Sequence, residues 1–347
     1  MVNRWQNFAA RLVLLFAASY GLLYFSYKFG IPWSGTGDYS RYYNMYMSPF
    51  NLHATQSPFV LRQVSGVLTY LVWKAHIYYP NQIWFQAAGF DQRIFFAALF
   101  TNWVFLVLAA ATAGVIAEEI AGRRNAMIAV VAGFLCLLSF HTQYVVITGV
   151  TEGPSWFLLT VGFLAYLRKM RVALALILML AIFQRETLLI VFGCIAAFDL
   201  IRQRVDVGFR LTIFGWSLAC FGFYLGLRRL LPGYEDETHL GGMLSVLRST
   251  HFNGDLLFQG LLSQNIILIS VILALAVKAP TTTKGRWLPV LLATLLCLDF
   301  AGLASGIGNN IGRVGGMLTP IFAALAAVDL KRLDRSDEDR GDEDRPG

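Results

Sequence analysis

Residues 172–201 read VALALILMLAIFQRETLLIVFGCIAAFDLI, an apolar stretch interrupted by the polar string Gln184-Arg185-Glu186-Thr187. A helix needs roughly 20 residues to cross a bilayer. The stretch is therefore either one long interrupted span or a pair, 172–184 and 187–201, each too short to cross alone. The choice fixes the side of everything downstream, and charge arbitrates. With a re-entrant or half-span pair, the later inside segments hold eleven basic residues: Arg202, Arg204, Arg210, Lys278, Lys284, Arg286, Lys331, Arg332, Arg335, Arg340 and Arg345. The outside then holds four, Arg228, Arg229, Arg248 and Arg313. A continuous span inverts that count, so the positive-inside rule selects the pair. Irregular backbone at membrane depth is tolerated only where protein or a watery cavity covers it, so the break is expected to border a cavity.

The rest of the chain has the same character. Of 347 residues, 56% are hydrophobic and 14% charged, and mean hydropathy is +0.57. Soluble domains carry about 25% charged residues. Ten candidate spans emerge: 9–29, 94–117, 126–147, 153–167, 172–184, 187–201, 209–230, 264–278, 287–304 and 314–330. They predict an all-α, polytopic transmembrane bundle over 1–330, with external loops at about 30–93 and 231–263. The segment 59–79 is apolar enough to span, but Arg62, Lys74, His76 and its aromatics suit an interfacial helix in the first external loop. The first apolar run lacks a small-residue cleavage site and reads as a retained span. Both termini fall on the cytoplasmic side of the cell's inner (plasma) membrane. The tail 331–347 is charge-dense, without an apolar run, and reads as disordered.

Composition also narrows the function. The net charge of +7 collects in short inside loops, which accounts for it without a nucleic-acid partner. Cys136, Cys194, Cys220 and Cys297 all lie in apolar runs and form no CxxC pair, so they signal neither a zinc site nor a disulfide framework. There is no GxxxxGK[ST] phosphate loop.

In this layout all five histidines, together with Asp38, Glu152, Arg185, Glu186 and Arg313, gather outside or at the outer ends of spans. Ionisable groups near membrane depth are costly and mark function. Asp38, in GTGDYSRYY after the first span, suits a general base acting on a sugar or lipid hydroxyl; a turn or capping role is the bland alternative. Thr151-Glu152-Gly153-Pro154 opens a span as an ordinary helix start, with Thr151 as the expected cap. Arg185 and Glu186 are adjacent and cannot face each other, so each must find its own partner. The turn GIGNNIGRVGG leads into the last span, whose positive end and Arg313 would suit a phosphate; a flexible connection with a snorkelling arginine is the alternative.

The order of these features resembles the GT-C superfamily of polytopic glycosyltransferases, which use polyprenyl-phosphate sugars. Asp38 in GDYSRYY resembles that superfamily's first-loop catalytic acid, and Arg62 in SPFVLRQ stands where many members carry a basic residue before an interfacial helix. Glu152 in TEGPSWF and Arg185-Glu186 in FQRETLL resemble the polar ends of inner helices in bacterial members. The chain departs from the pattern in having Tyr39 where several branches have a second acid, in lacking prolines after Arg62, and in lacking a large C-terminal domain. These departures leave the subfamily and any divalent-metal requirement open, and no other cofactor is implied.

The resemblance implies that Asp38 activates an acceptor hydroxyl while Arg313, Arg62 and Arg185 hold the donor phosphate. Tyr39, Glu152, Glu186 and His251 would support the substrates. The implied partners are a polyprenyl-phosphate-linked sugar, a lipid, glycan or protein acceptor, and membrane lipids. Two other classes compete. The broken pair would also suit a flippase or transporter of a lipid-linked saccharide, although no inverted repeat is evident. Arg248-Ser249-Thr250-His251 in the second loop would suit a polysaccharide polymerase or acyltransferase.

Overall fold

Apolar runs long enough for several helical turns, with few strand-like alternations, give a chain that is mostly helical where it is described. The computed structural model describes residues 4–29, 38–55, 57–77, 91–140, 142, 150–203, 205–231, 254–276, 282–304 and 310–343, with no strand among them. The helices are α1 (Arg4–Phe29), α2 (Asp38–Met47), α3 (Gln63–Lys74), α4 (Gln92–Ala121), α5 (Ala126–Leu137), α6 (Glu152–Leu167) and α7 (Arg171–Ile182). They continue as α8 (Glu186–Arg202), α9 (Val207–Leu230), α10 (Gly254–Ser263), α11 (Asn265–Ala276), α12 (Thr282–Ala304), α13 (Asn310–Gly315) and α14 (Thr319–Glu343).

Among the described residues four helices are long and apolar enough to cross a membrane: Gln6–Lys28, Gln92–Ala121, Val207–Leu230 and Arg313–Arg332. Two of these are central, with 78% of the α4 window and 83% of the last window buried in protein. The spans in α1 and α9 are only 22% buried and present apolar side chains such as Val13, Phe25, Leu218 and Phe223 outward. Ala126–Leu137, Arg171–Ile182 and Asn265–Ala276 are apolar but short. At 1.5 Å per residue a 12-residue helix is about 18 Å long, against a hydrocarbon core of about 30 Å. Thus, among the described residues, four of the ten candidate spans meet the length and composition required to cross.

The ends of the helices are tied together by ion pairs, which fixes their directions. At one end Arg11 meets Glu118 at 3.3 Å, Arg168 meets Glu119 at 2.8 Å and Lys169 meets Asp206 at 2.5 Å. There too the fully buried Asp199 takes Arg210 at 2.7 Å, both Nε and Nη2 of Arg286 at 2.9 and 2.7 Å, and the Tyr166 hydroxyl at 3.1 Å. The start of α7 and the end of α8 therefore lie at the same end of the bundle. The two run as a hairpin whose tip is the polar string at 184–187.

That tip is covered by protein where a cavity was expected. Phe183 O accepts from Val64 N at 3.0 Å, and Gln184 O accepts from Arg62 Nη1 at 3.1 Å. The Gln184 side chain, fully buried, donates to Thr151 O (2.7 Å) and Ser155 Oγ (2.9 Å). Its oxygen accepts from Ser65 N (3.0 Å) and Ser65 Oγ (2.9 Å). The start of α3 and the start of α6 thus satisfy the groups that the break frees, as membrane depth requires. In the described part of this segment, 59–77, a short 3₁₀ turn at Phe59–Leu61 precedes the 12-residue helix α3.

One expectation changes. Thr151 makes no capping bond; Asn102, reaching across from α4, accepts from Gly153 N at 2.9 Å and donates to Val150 O.

Candidate functional site

Opposite the Asp199 end, four elements bring their polar ends to one place: the turn before α3, the first turn of α6, the tip between α7 and α8, and α13. Glu152 sits at the centre, 1% exposed. Its Oε1 accepts from Arg185 Nη1 at 2.5 Å and from Arg313 Nε and Nη2 at 2.7 and 2.6 Å. Its Oε2 is buried without a hydrogen-bond partner. Beside it, Arg62 Nη2 lies 3.1 Å from Glu186 Oε2. Arg185 and Glu186 therefore each have a separate partner, as their adjacency demanded.

Glu186, Tyr42, Tyr224 and Glu152 all lie within electrostatic reach of Arg62. Burial opposes the charge on Arg62, but Glu186 and its other neighbours hold the guanidinium above its ordinary value. Arg228, one turn beyond Tyr224 on α9, acts on Glu186 as well. The result is four guanidiniums (Arg62, Arg185, Arg228, Arg313) around two carboxylates. The Nε groups of Arg62 and Arg185 are buried without a hydrogen-bond partner.

Five residues expected in the site, Arg62, Glu152, Arg185, Glu186 and Arg313, are thus assembled. Asp38 and Tyr39 open α2, and Asp38 is one turn before Tyr42, but their side chains lie outside the described residues. His251, with the rest of Arg248-Ser249-Thr250-His251, also lies outside them. His53 and His76 are exposed. Arg313 opens the last apolar span, Arg313–Arg332, in which α13 passes through a 3₁₀ turn at Gly316–Leu318 into α14. Among the described residues no group of three His, Cys, Asp or Glu side chains is placed to hold a metal ion.

Sequence reasoning missed Ser65, Asn102, Tyr42, Tyr224 and Arg228, all embedded in apolar or aromatic runs. It also missed Asp299, a carboxylate in the apolar run of α12 that accepts from Gln264 Nε2 at 2.7 Å beside Gly315. A lone acid in TLLCLDFAGLA was the available signal.

Comparison with family models, with curated proteins and with solved structures finds no match to this chain. What fold and site define together is an all-helical protein, carrying helices apolar enough to span a membrane, with an arginine-rich ionic cluster at one end of its bundle.

Proposed function

We propose that this protein is a GT-C-type glycosyltransferase that moves a sugar from a polyprenyl-phosphate donor to a lipid, glycan or protein acceptor at the non-cytoplasmic face. The observation that carries this reading is the cluster of four guanidiniums around two carboxylates. Its excess of two positive charges equals the charge of the lipid monophosphate that leaves, whereas the phosphodiester of the intact donor carries one negative charge. A site with that excess favours the transition state over the ground state, and such preorganised charge is a large catalytic term. Glu152 and Glu186 keep the guanidiniums oriented and limit their mutual repulsion.

In this mechanism Asp38 takes the proton of the acceptor hydroxyl, whose oxygen attacks the anomeric carbon. The bond from that carbon to the phosphate oxygen breaks, and Arg313, with Arg185 and Arg62, receives the charge. The test is a transfer assay with purified protein and a radiolabelled polyprenyl-phosphate sugar. Asp38→Asn should leave insertion intact and lower transfer at least ~100-fold, the low end for a general base. Arg313→Ala should raise the donor's KM and lower kcat together, and Arg313→Lys should retain part of the activity because it keeps charge without the planar fork. Near-normal turnover in the Asn variant removes Asp38 from the mechanism. Movement of intact lipid-linked saccharide across vesicles, without transfer, would instead select the flippase reading.

A further inference from the structure

At the Asp199 end, a groove of about 580 Å³ lies between α1, the end of α4, the start of α5 and the end of α6. Arg11, Arg123, Arg124 and Arg168 line it, facing Glu118 and Glu119. Both carboxylates are engaged already: Glu118 by Arg11 at 3.3 Å, and Glu119 by Arg168 Nε and Nη2 at 3.1 and 2.8 Å. Arg123 and Arg124 have no ion-pair or hydrogen-bond partner among the described residues. They stand side by side on the turn that Gly122, at φ +67°, makes between α4 and α5. Two uncompensated guanidiniums at the mouth of a groove call for an anion.

The surroundings of the groove say which kind. Phe8, Val115 and Ala126 contribute apolar wall. Next to it come Leu14, one turn beyond Arg11 on α1, and Met127, which follows Ala126 on α5; they are 45% and 64% exposed. A ligand that satisfies both regions has a negative head and an apolar tail. We infer that this groove is a binding site for an anionic phospholipid, its phosphate held by Arg123 and Arg124 and its acyl chains lying along Leu14 and Met127. Basic pockets of this kind between spans commonly take anionic headgroups. The occupant would bridge α1, α4, α5 and α6, so it should stabilise the bundle. This site is at the opposite end from the Glu152 cluster and does not depend on what that cluster does.

The experiment uses the full chain purified in detergent and stripped of lipid, with phosphatidylglycerol, phosphatidylcholine or inorganic phosphate added. Native mass spectrometry should show phosphatidylglycerol retained in preference to phosphatidylcholine. The thermal midpoint should rise by about 5 °C at lipid concentrations a hundredfold over Kd. Replacing Arg123 and Arg124 together by Gln should weaken phosphatidylglycerol binding about 30-fold, at about 1 kcal/mol for each basic residue. Raising salt should narrow the wild-type preference, a measurement that stands even if the double variant folds poorly. Equal retention of the two lipids, or a preference that survives in the folded double variant or is insensitive to salt, overturns the inference. Equal stabilisation by inorganic phosphate also overturns it, by showing a site for free anions.

Discussion

The Oε1 atom of Glu152 accepts three N–H groups from two arginines. Removing one partner from a buried ion pair is costlier than the pair is worth, because the remaining charge stays buried. Glu152→Ala should therefore lower stability by about 3–5 kcal/mol, read as a fall in thermal midpoint. Glu152→Gln should cost less, since it retains an acceptor oxygen. Adding Arg313→Ala to the Glu152→Ala variant should then cost less than Arg313→Ala alone; additive losses would show that the two do not interact. At this scale the sequence discloses need but not pairing. Adjacency showed that Arg185 and Glu186 require separate partners, yet Arg313 lies 161 residues from Glu152, beyond the reach of any local pattern.

Helices α4 and α6 approach closely enough that a side chain at Gly153 would be displaced. A Cβ there would lie 2.6 Å from Asn102 O and 2.8 Å from Asn102 Cα, both backbone atoms that cannot swing away. Gly153→Ala should cost about 1–3 kcal/mol by overpacking and should shift Glu152, its neighbour, away from Arg313. Gly222 on α9 meets nothing within 4 Å, so Gly222→Ala should be neutral or slightly stabilising. A melting comparison of the two variants checks the contrast, and equal effects would contradict this packing. Most helices were legible from their apolar runs, and the break at 184–187 from the polar string that makes it. What stayed hidden was how the break is covered. The coverage comes from Ser65 and Arg62 in a segment whose own composition allowed a membrane span, and only tertiary docking reveals that α3 ends after 12 residues.

Across the molecule, α6 runs from the Glu152 cluster to Tyr166, the partner of Asp199, a rise of about 21 Å at 1.5 Å per residue. Two ionic layers thus bound an apolar middle, and the charges outside the layers differ. The Asp199 end carries Arg168, Lys169, Arg210 and Arg286, together with Arg123 and Arg124. On the positive-inside rule we propose that this end faces the cytoplasm and the Glu152 cluster the opposite face, where a lipid-phosphate sugar would be presented. Two exposed positions test the assignment: His53, after α2, and Val205, between α8 and α9. In intact cells a membrane-impermeant maleimide should label His53→Cys, and should label Val205→Cys only after permeabilisation. The native cysteines all lie within helices, which keeps the background low. Labelling of Val205→Cys alone would invert the bundle, place the arginines in the cytoplasm and remove the donor from their reach. Labelling of both without permeabilisation would mean that the two layers do not face opposite sides, and the hairpin of α7 and α8 would then have no membrane to re-enter.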